Sequence, residues 1–317
     1  MPNDPPSHPN SARGECDDAP RSPTEGHLMP EGHVTHRIAG MLNDQFSGRV
    51  VESSSPQGRF SDSAARIDGR VFDAAEAWGK HMFVGFEGMD ERVNIHLGLL
   101  GKFFFTEGIE PADVPATGAI RWRLGVSATD VDPRGSVVMD LRGPNVCELR
   151  TPDEVDTITS KLGADPLRGD ADPERAWARV RRTSTPVAAL LMDQKVFPGV
   201  GNIYRAEVLF RHGIDPRMPG KFLRREEFDA IWGDLVALMP LGVRDGRIDT
   251  VRPEHTPEAM GREPRVDKHG GEVYVYRRAG QPCLVCGTPV ALEEFAGRNL
   301  FWCPSCQPRH RRRRANA

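Results

Sequence analysis

Between residue 29 and about residue 150 the chain carries short apolar runs rich in valine and phenylalanine, at 48–52, 82–86, 93–97 and 136–141, each bounded by glycine, aspartate or proline. Runs of that length between such breakers predict strands, and several in succession predict a β-sandwich. The period changes after Arg150. Thr151-Pro-Asp-Glu154 has the spacing of a capping box, in which the two side chains satisfy each other's backbone at a helix start. Helical pattern follows over 172–183, from Thr185-Pro186 through Gln194, over 202–212 and over 225–238, so 151–265 reads as a helical domain. From Gly271 short strands and turns return, and 271–308 reads as a small hairpin unit. The expected class is α+β with several domains, and no internal repeat is present.

Residues 1–28 contain six prolines with Ser, Asn and Asp between them and no apolar periodicity, which predicts disorder. They also hold five acids and two bases, and so account for the whole net charge of -3. From Gly271 to the end eight arginines face three glutamates, a local +5 that ends in a basic tail at 309–317 and suits a polyanion. The longest apolar runs, such as 187–192, fall far short of the roughly 20 residues a membrane span needs, and the amino terminus lacks the apolar core of a secretory signal. A soluble, cytoplasmic protein is expected.

Four of the six cysteines fall in the pattern Cys283-x2-Cys286-x16-Cys303-x2-Cys306, while Cys16 and Cys147 stand alone. Two close thiolate pairs separated by a hairpin-sized insert can close a tetrahedral site, so one structural Zn2+ is expected. A four-sulfur site has no open position, and its work is to hold a hairpin too small to fold on its own core. At the tip of the insert, Gly297-Arg298-Asn299 would present a guanidinium whose planar fork matches two phosphate oxygens.

Two further stretches carry chemistry. In the run from Gln194 to Glu207 a glycine-rich turn, Gly199-Val-Gly201, feeds directly into a helix at Asn202. Either the first-turn amides and the Asn202 side chain receive a phosphate at the positive helix end, or Asn202 is an ordinary N-cap. Met29-Pro30-Glu31-Gly32 stands where the disordered pattern gives way to structure. Read as a start, it yields a free proline amine, and terminal amines have pKa values of about 7.7–8 against about 10.4 for lysine. Such an amine can attack a sugar C1′, with Glu31 as general acid for opening the ring. Read as interior sequence, Pro-Glu-Gly is merely a loop.

Together these motifs resemble the formamidopyrimidine-DNA glycosylase and endonuclease VIII family. The resemblance runs from Met29 to about Pro308 and rests on Met-Pro-Glu-Gly at 29–32, Gly-Lys-His at 79–81, His-Leu-Gly at 96–98, Gly-Val-Gly-Asn-Ile-Tyr at 199–204, and Gly-Arg followed by Cys-Pro-x-Cys-Gln at 297–307. It implies an N-terminal β-sandwich, a helix-two-turn-helix domain and a zinc-finger β-hairpin, with DNA in the cleft between the lobes. It also implies roles: Pro30 as nucleophile, Glu31 as proton donor, Lys80 as a cation on the phosphate near the lesion, and Asn202 and Arg298 as grips on flanking phosphates. Leu99 and Leu100 fall where the family places side chains that fill the gap left by an extruded base; read without the family, they are a buried turn. Two departures favour the endonuclease VIII side. Asp140-Leu-Arg-Gly-Pro144 stands where formamidopyrimidine-type members carry an Arg-Arg-Phe wedge loop, and Val34 occupies the apparent place of a second acid. Ser-Pro-Gln-Gly-Arg-Phe at 55–60 looks most like actinobacterial endonuclease VIII proteins.

The expected function is therefore a monomeric bacterial base-excision enzyme acting on damaged or abasic DNA. It would remove oxidised pyrimidines through a Pro30 iminium and nick the strand by β,δ-elimination. An oxidised-purine glycosylase of the same fold is the alternative within the enzyme class. A non-catalytic damage-binding protein is the alternative outside it, because Pro30 inside the chain is an amide, whose nitrogen is not a nucleophile. The expectation is accordingly that Met29 is the true start or that residues 1–29 are removed.

Overall fold

The computed structural model describes residues 31–267 and 271–310, so the expectations for residues 1–28, for Pro30 and for arginines 311–314 lie outside the described residues. The first element is a helix that the strand-dominated pattern did not predict. Helix α1 (Gly32–Phe46) buries Ile38, Ala39, Leu42 and Phe46, a helical spacing interrupted by the buried polar Thr35 on the same face, while the buried His33 lies on the opposite face against Tyr204. It packs on the sandwich that follows.

The strands, in chain order, are β1 (Glu52–Ser54), β2 (Phe72–Trp78), β3 (His81–Phe86), β4 (Arg92–His96), β5 (Lys102–Glu107), β6 (Ile120–Val126), β7 (Val137–Arg142) and β8 (Val146–Arg150), with α2 (Ser61–Ile67) inserted after β1. They form two antiparallel four-stranded sheets of order β1-β6-β7-β5 and β2-β3-β4-β8. Phe72, Met82, Val84 and Ile95 of one sheet and Trp122, Leu124, Met139 and Leu141 of the other share one core with α1, which makes the expected sandwich. The run expected as a strand at 48–52 pairs only at its end: Val50 makes a single bridge to Val71, and the strand proper begins at Glu52. Cys147 is buried in β8.

The helical part opens as expected. Thr151 and Glu154 form both halves of a capping box on α3 (Pro152–Thr159), and Asp172 caps α4 (Pro173–Val180). Helices α5 (Val187–Met192), α6 (Asn202–Arg211), α7 (Arg225–Asp245) and α8 (Pro257–Met260) complete it. The expected end of α7 at residue 238 is seven residues short, because the helix runs through Pro240. Proline there deprives the Val236 carbonyl of its helical donor. Val236 is 43% exposed, so water can replace that donor, while Met239 and Gly242 are buried. The last two strands, β9 (Ala291–Phe295) and β10 (Arg298–Trp302), form a hairpin whose Leu300 and Phe301 belong to the core of the helical part. No helix among the described residues is long and apolar enough to cross a membrane.

Candidate active site

Glu31 immediately precedes α1 and is 1% exposed. Its carboxylate is drawn inward by the start of α6, where four backbone amides lack partners within the helix. Glu31 Oε2 accepts from Gly201 N at 3.0 Å and Tyr204 N at 3.4 Å, and Oε1 accepts from Ile203 N at 2.7 Å. A Cβ on residue 201 would lie 2.4 Å from the Glu31 carboxyl carbon, which is why that position is glycine. These contacts correct one expectation. The amides of Gly201, Ile203 and Tyr204 are occupied by Glu31 instead of being open to phosphate, and the N-cap is Gly201 instead of Asn202.

Lys80 is the second residue of the tight β2–β3 turn, between the paired Trp78 and His81. Burial pushes its ammonium below the usual lysine range and the charge of Arg298 adds to that, while Glu31 pulls the other way. Burial likewise pushes the Glu31 carboxyl up, opposed by Lys80 and the three amides. The pair thus holds an acid inclined to keep its proton beside an amine inclined to lose one. His96, at the end of β4, is also pushed down by burial and by Lys80. Behind it His81, whose ring centroid is 4.9 Å from that of His96, is pushed down to about 4 by burial and by its neighbour's charge. Both shifts favour the neutral imidazole.

Asn202 is the first residue of α6 and 4% exposed; its Nδ2 donates to the Asn299 carbonyl at 3.0 Å, and its Oδ1 accepts from Arg205. Arg205 also donates to the Asn299 carbonyl at 2.8 Å, so α6 and the hairpin tip are fastened together. The tip is a two-residue turn, Ala296-Gly297, with φ of 51° and 71°, the signs a type I′ hairpin demands. It places Arg298, exposed, as the first residue of β10.

Glu31, Lys80, Leu99, Asn202 and Arg298 line one cavity of about 280 Å³. Leu100 lies on the same turn but outside that lining. Leu99 and Leu100 are 61% and 75% exposed, which excludes the buried-turn reading for both. The cavity wall also contains His96, Asn145 and Met192, to which the sequence reading assigned no role. His96 was legible in the His-Leu-Gly motif; Asn145 and Met192 carried no signal. Asn145 closes a three-residue turn between β7 and β8, and its backbone N–H donates to the His96 carbonyl at 2.9 Å. Where the longer wedge loop was expected to be missing, Asp140 is held by Arg123 at 2.6 Å, and Arg142 lies 4.7 Å over the Phe104 ring.

The four cysteine sulfurs lie within 4.8 Å of one another, with Cys283–Cys306 at 3.8 Å and Cys286–Cys303 at 3.5 Å. Sulfurs about 2.3 Å from a tetrahedral Zn2+ are about 3.8 Å apart, so the donor set fits the ion. Gln307, 2% exposed, accepts from Cys303 N and donates to the Ile214 carbonyl, both at 3.0 Å, which bolts the metal knuckle to the helical part. Glu207, whose side chain the sequence left without a task, is fully buried. It accepts from the backbone amides of Tyr274, Val275 and Tyr276 and from the Thr250 hydroxyl, fastening the approach to the zinc unit onto α6.

Three family profiles match in the order of these parts: "Formamidopyrimidine-DNA glycosylase N-terminal domain" over residues 29–139, "Formamidopyrimidine-DNA glycosylase H2TH domain" over 162–252, and "Zinc finger found in FPG and IleRS" over 280–309. "Endonuclease 8 1" of Mycobacterium tuberculosis is 49% identical over 286 residues, covering 88% of this chain and all of that protein. A Nocardioides formamidopyrimidine-DNA glycosylase is 30% identical over 263 residues, covering 80% of this chain and 82% of its own. Among solved structures, Lactococcus lactis Fpg in complex with abasic-site DNA superposes with a TM-score of 0.67 at 21% identity, over 88% of this chain and all of that one, which establishes the shared fold. The sandwich, the helical domain, the four-cysteine zinc site and the identity along the chain converge: this protein belongs to the formamidopyrimidine-DNA glycosylase and endonuclease VIII family of DNA-repair glycosylases.

Proposed function

We propose that this protein is a bifunctional DNA glycosylase and abasic-site lyase that removes oxidised pyrimidines from DNA. The observation that carries the reading is one cavity lined by a buried acid, Glu31, and by Lys80, His96, Asn202 and Arg298. The acid follows Pro30 directly in sequence, and the cations and amide around it suit a phosphodiester. The family relatives carry the names endonuclease 8 and formamidopyrimidine-DNA glycosylase, and the L. lactis homologue was solved on abasic-site DNA. The 49% identity to an endonuclease 8 and the short β7–β8 turn favour pyrimidine lesions.

The chemistry runs through residue 30 when its nitrogen is the chain terminus. The proline amine attacks C1′ of the damaged nucleotide, the glycosidic C1′–N bond breaks and the base leaves with a proton. Glu31 delivers a proton to the ring oxygen as the sugar opens, and the amine loses its own to give the iminium. The iminium accepts the electron pair freed when a C2′ proton departs, so the 3′-phosphate is expelled; loss of the C4′ proton then expels the 5′-phosphate, and hydrolysis returns the free amine. Lys80, Asn202 and Arg298 hold the flanking phosphates, and the exposed Leu99 and Leu100 fill the space the extruded nucleotide leaves. The zinc supports the hairpin that carries Arg298 and takes no part in the bond changes.

The test is borohydride trapping on an abasic duplex, since reduction turns the iminium into a stable crosslink. A chain whose first residue is Pro30 is expected to crosslink, and one proved by mass spectrometry to retain residues 1–29 is not. Efficient trapping by the longer form would remove Pro30 as nucleophile and direct attention to a lysine such as Lys80. A panel of oxidised pyrimidine and purine duplexes tests the lesion class in the same assay, and preference for purines would overturn that part of the reading.

A further inference from the structure

Lys80 sits at the tip of a hairpin, a place where a chain is ordinarily mobile, yet its proposed task requires an ammonium held to within a fraction of an ångström. What holds it comes from the other lobe. Asp165, in the segment between α3 and α4, is 3% exposed. Its Oδ2 accepts from Gly79 N at 2.7 Å and lies 3.1 Å from His36 Nε2, and its Oδ1 accepts from Leu167 N at 2.9 Å. Gly79 is the residue before Lys80 in the turn, and His36 lies in the second turn of α1, the helix that starts beside Glu31. One carboxylate therefore ties the turn carrying Lys80 to the helix following Glu31, and both to the helical domain.

The same turn is braced from two more sides. A Cβ on Gly79, whose φ is +60°, would lie 2.8 Å from Pro198 Cβ and 3.0 Å from Gly199 N, in the loop that leads into α6. The Arg168 guanidinium covers the Trp78 ring at 3.6 Å and donates to the Ala77 carbonyl at 3.4 Å. Packing alone accounts for the first brace and surface stacking for the second. Burying a carboxylate is costly unless its hydrogen bonds are met, and Asp165 meets part of its need on the amide that fixes the height of the Lys80 turn.

We propose that Asp165 is a positioning residue for Lys80, setting where the ammonium stands relative to Glu31 and to the DNA phosphate. The proposal rests on the role given to Lys80 above. Through it, docking of the two lobes and readiness of the active site become one event, because a displaced helical domain would release the Gly79 amide.

The experiment measures single-turnover cleavage of a 5′-labelled duplex with one abasic site, as a function of enzyme concentration, using the purified protein in the form that traps abasic DNA. The set is wild type, Asp165→Ala, Asp165→Asn, Lys80→Ala and the double variant Asp165→Ala with Lys80→Ala. Asp165→Ala is expected to lower the saturating rate about tenfold or more while the half-saturating concentration stays within about threefold, the pattern of misplaced chemistry instead of lost binding. Asp165→Asn, which keeps one acceptor oxygen, is expected to recover part of that rate. In the Lys80→Ala background the Asp165→Ala change is expected to cost less than about twofold, because its effect is exerted through Lys80. A saturating rate for Asp165→Ala within twofold of wild type overturns the proposal, and so do losses that multiply in the double variant. If Asp165→Ala does not fold, the same criteria apply to Asp165→Asn. A Lys80→Ala variant that keeps the wild-type rate defeats the Lys80 reading itself, and the positioning role falls with it.

Discussion

Replacing Glu31 by glutamine removes one proton from the chemistry, and it also disturbs the helix start on which the carboxylate is seated. Two oxygens accept three backbone amides at 2.7, 3.0 and 3.4 Å. Glutamine offers one oxygen. In its better orientation that oxygen takes the Oε2 place and keeps Gly201 and Tyr204, while the new amide group faces the Ile203 N–H donor to donor. One buried donor left without an acceptor costs about 1–3 kcal/mol, and the surviving contacts lose their charge-assisted strength. The expected destabilisation is about 2 kcal/mol, or about 4–8 °C in Tm at about 2–4 °C per kcal/mol. Loss of the proton should separately slow base excision by about 10²–10⁴. Differential scanning fluorimetry and single-turnover excision on a duplex with an oxidised pyrimidine read the two effects independently. A Tm within 1 °C of wild type would refute the helix-cap argument, and excision within a few-fold would refute the acid assignment.

Changing Arg298 to alanine should weaken duplex binding and lower the slope of log affinity against log salt by about 1, with the hairpin intact by circular dichroism; an unchanged slope removes Arg298 from the interface. Cys303→Ser should release the metal, worth about 10–16 kcal/mol in small zinc units, and lower Tm as well, since Leu300 and Phe301 lie in the helical core; metal analysis showing one retained zinc per chain contradicts the ligand set. Burial alone would raise the Asp234 carboxyl, but hydrogen bonds from His212 and Arg211 bring it down to about 2 from 3.8. Its contribution is therefore fully present above the unfolded value and is lost as pH falls through the folded one, so Asp234→Asn should cost about 2 kcal/mol at pH 7 and about half of that at pH 3. Urea denaturation showing the same deficit at both pH values would sink this account.

Much of the chemistry was legible along the chain because it depends on spacing over a few residues. Two Cys-x2-Cys pairs, a glycine-rich turn before Asn202 and a capping box at Thr151 are local patterns with local causes, and each appears in the fold where the pattern puts it. The class of the fold was also legible, since period two and period 3.6 are properties of neighbouring positions. Helix α1 was missed because polar Thr35 interrupts its apolar face and polar His33 is buried on the opposite one, and the exclusion of water from both faces comes from the sandwich and α7 surfaces, far away in sequence. The end of α7 was missed because only solvent access at Val236 makes Pro240 acceptable within a helix.

Long-range partnerships were beyond any pattern. Glu31 could be read as an acid from its neighbour Pro30, but its seat on the amides of Gly201, Ile203 and Tyr204 exists only because chain 170 residues away folds back onto it. That contact took the helix end away from phosphate, and it set the burial that shifts the Glu31 carboxyl. Asp165, Glu207 and Gln307 looked like ordinary polar residues, since a side chain's hydrogen-bond partners are chosen by topology. The reactive groups of this protein, and the short segments that present them, follow from the order of its residues alone. Their mutual distances, their desolvation and which of them are spoken for by other parts of the chain arise on folding, because those depend on how separate elements pack.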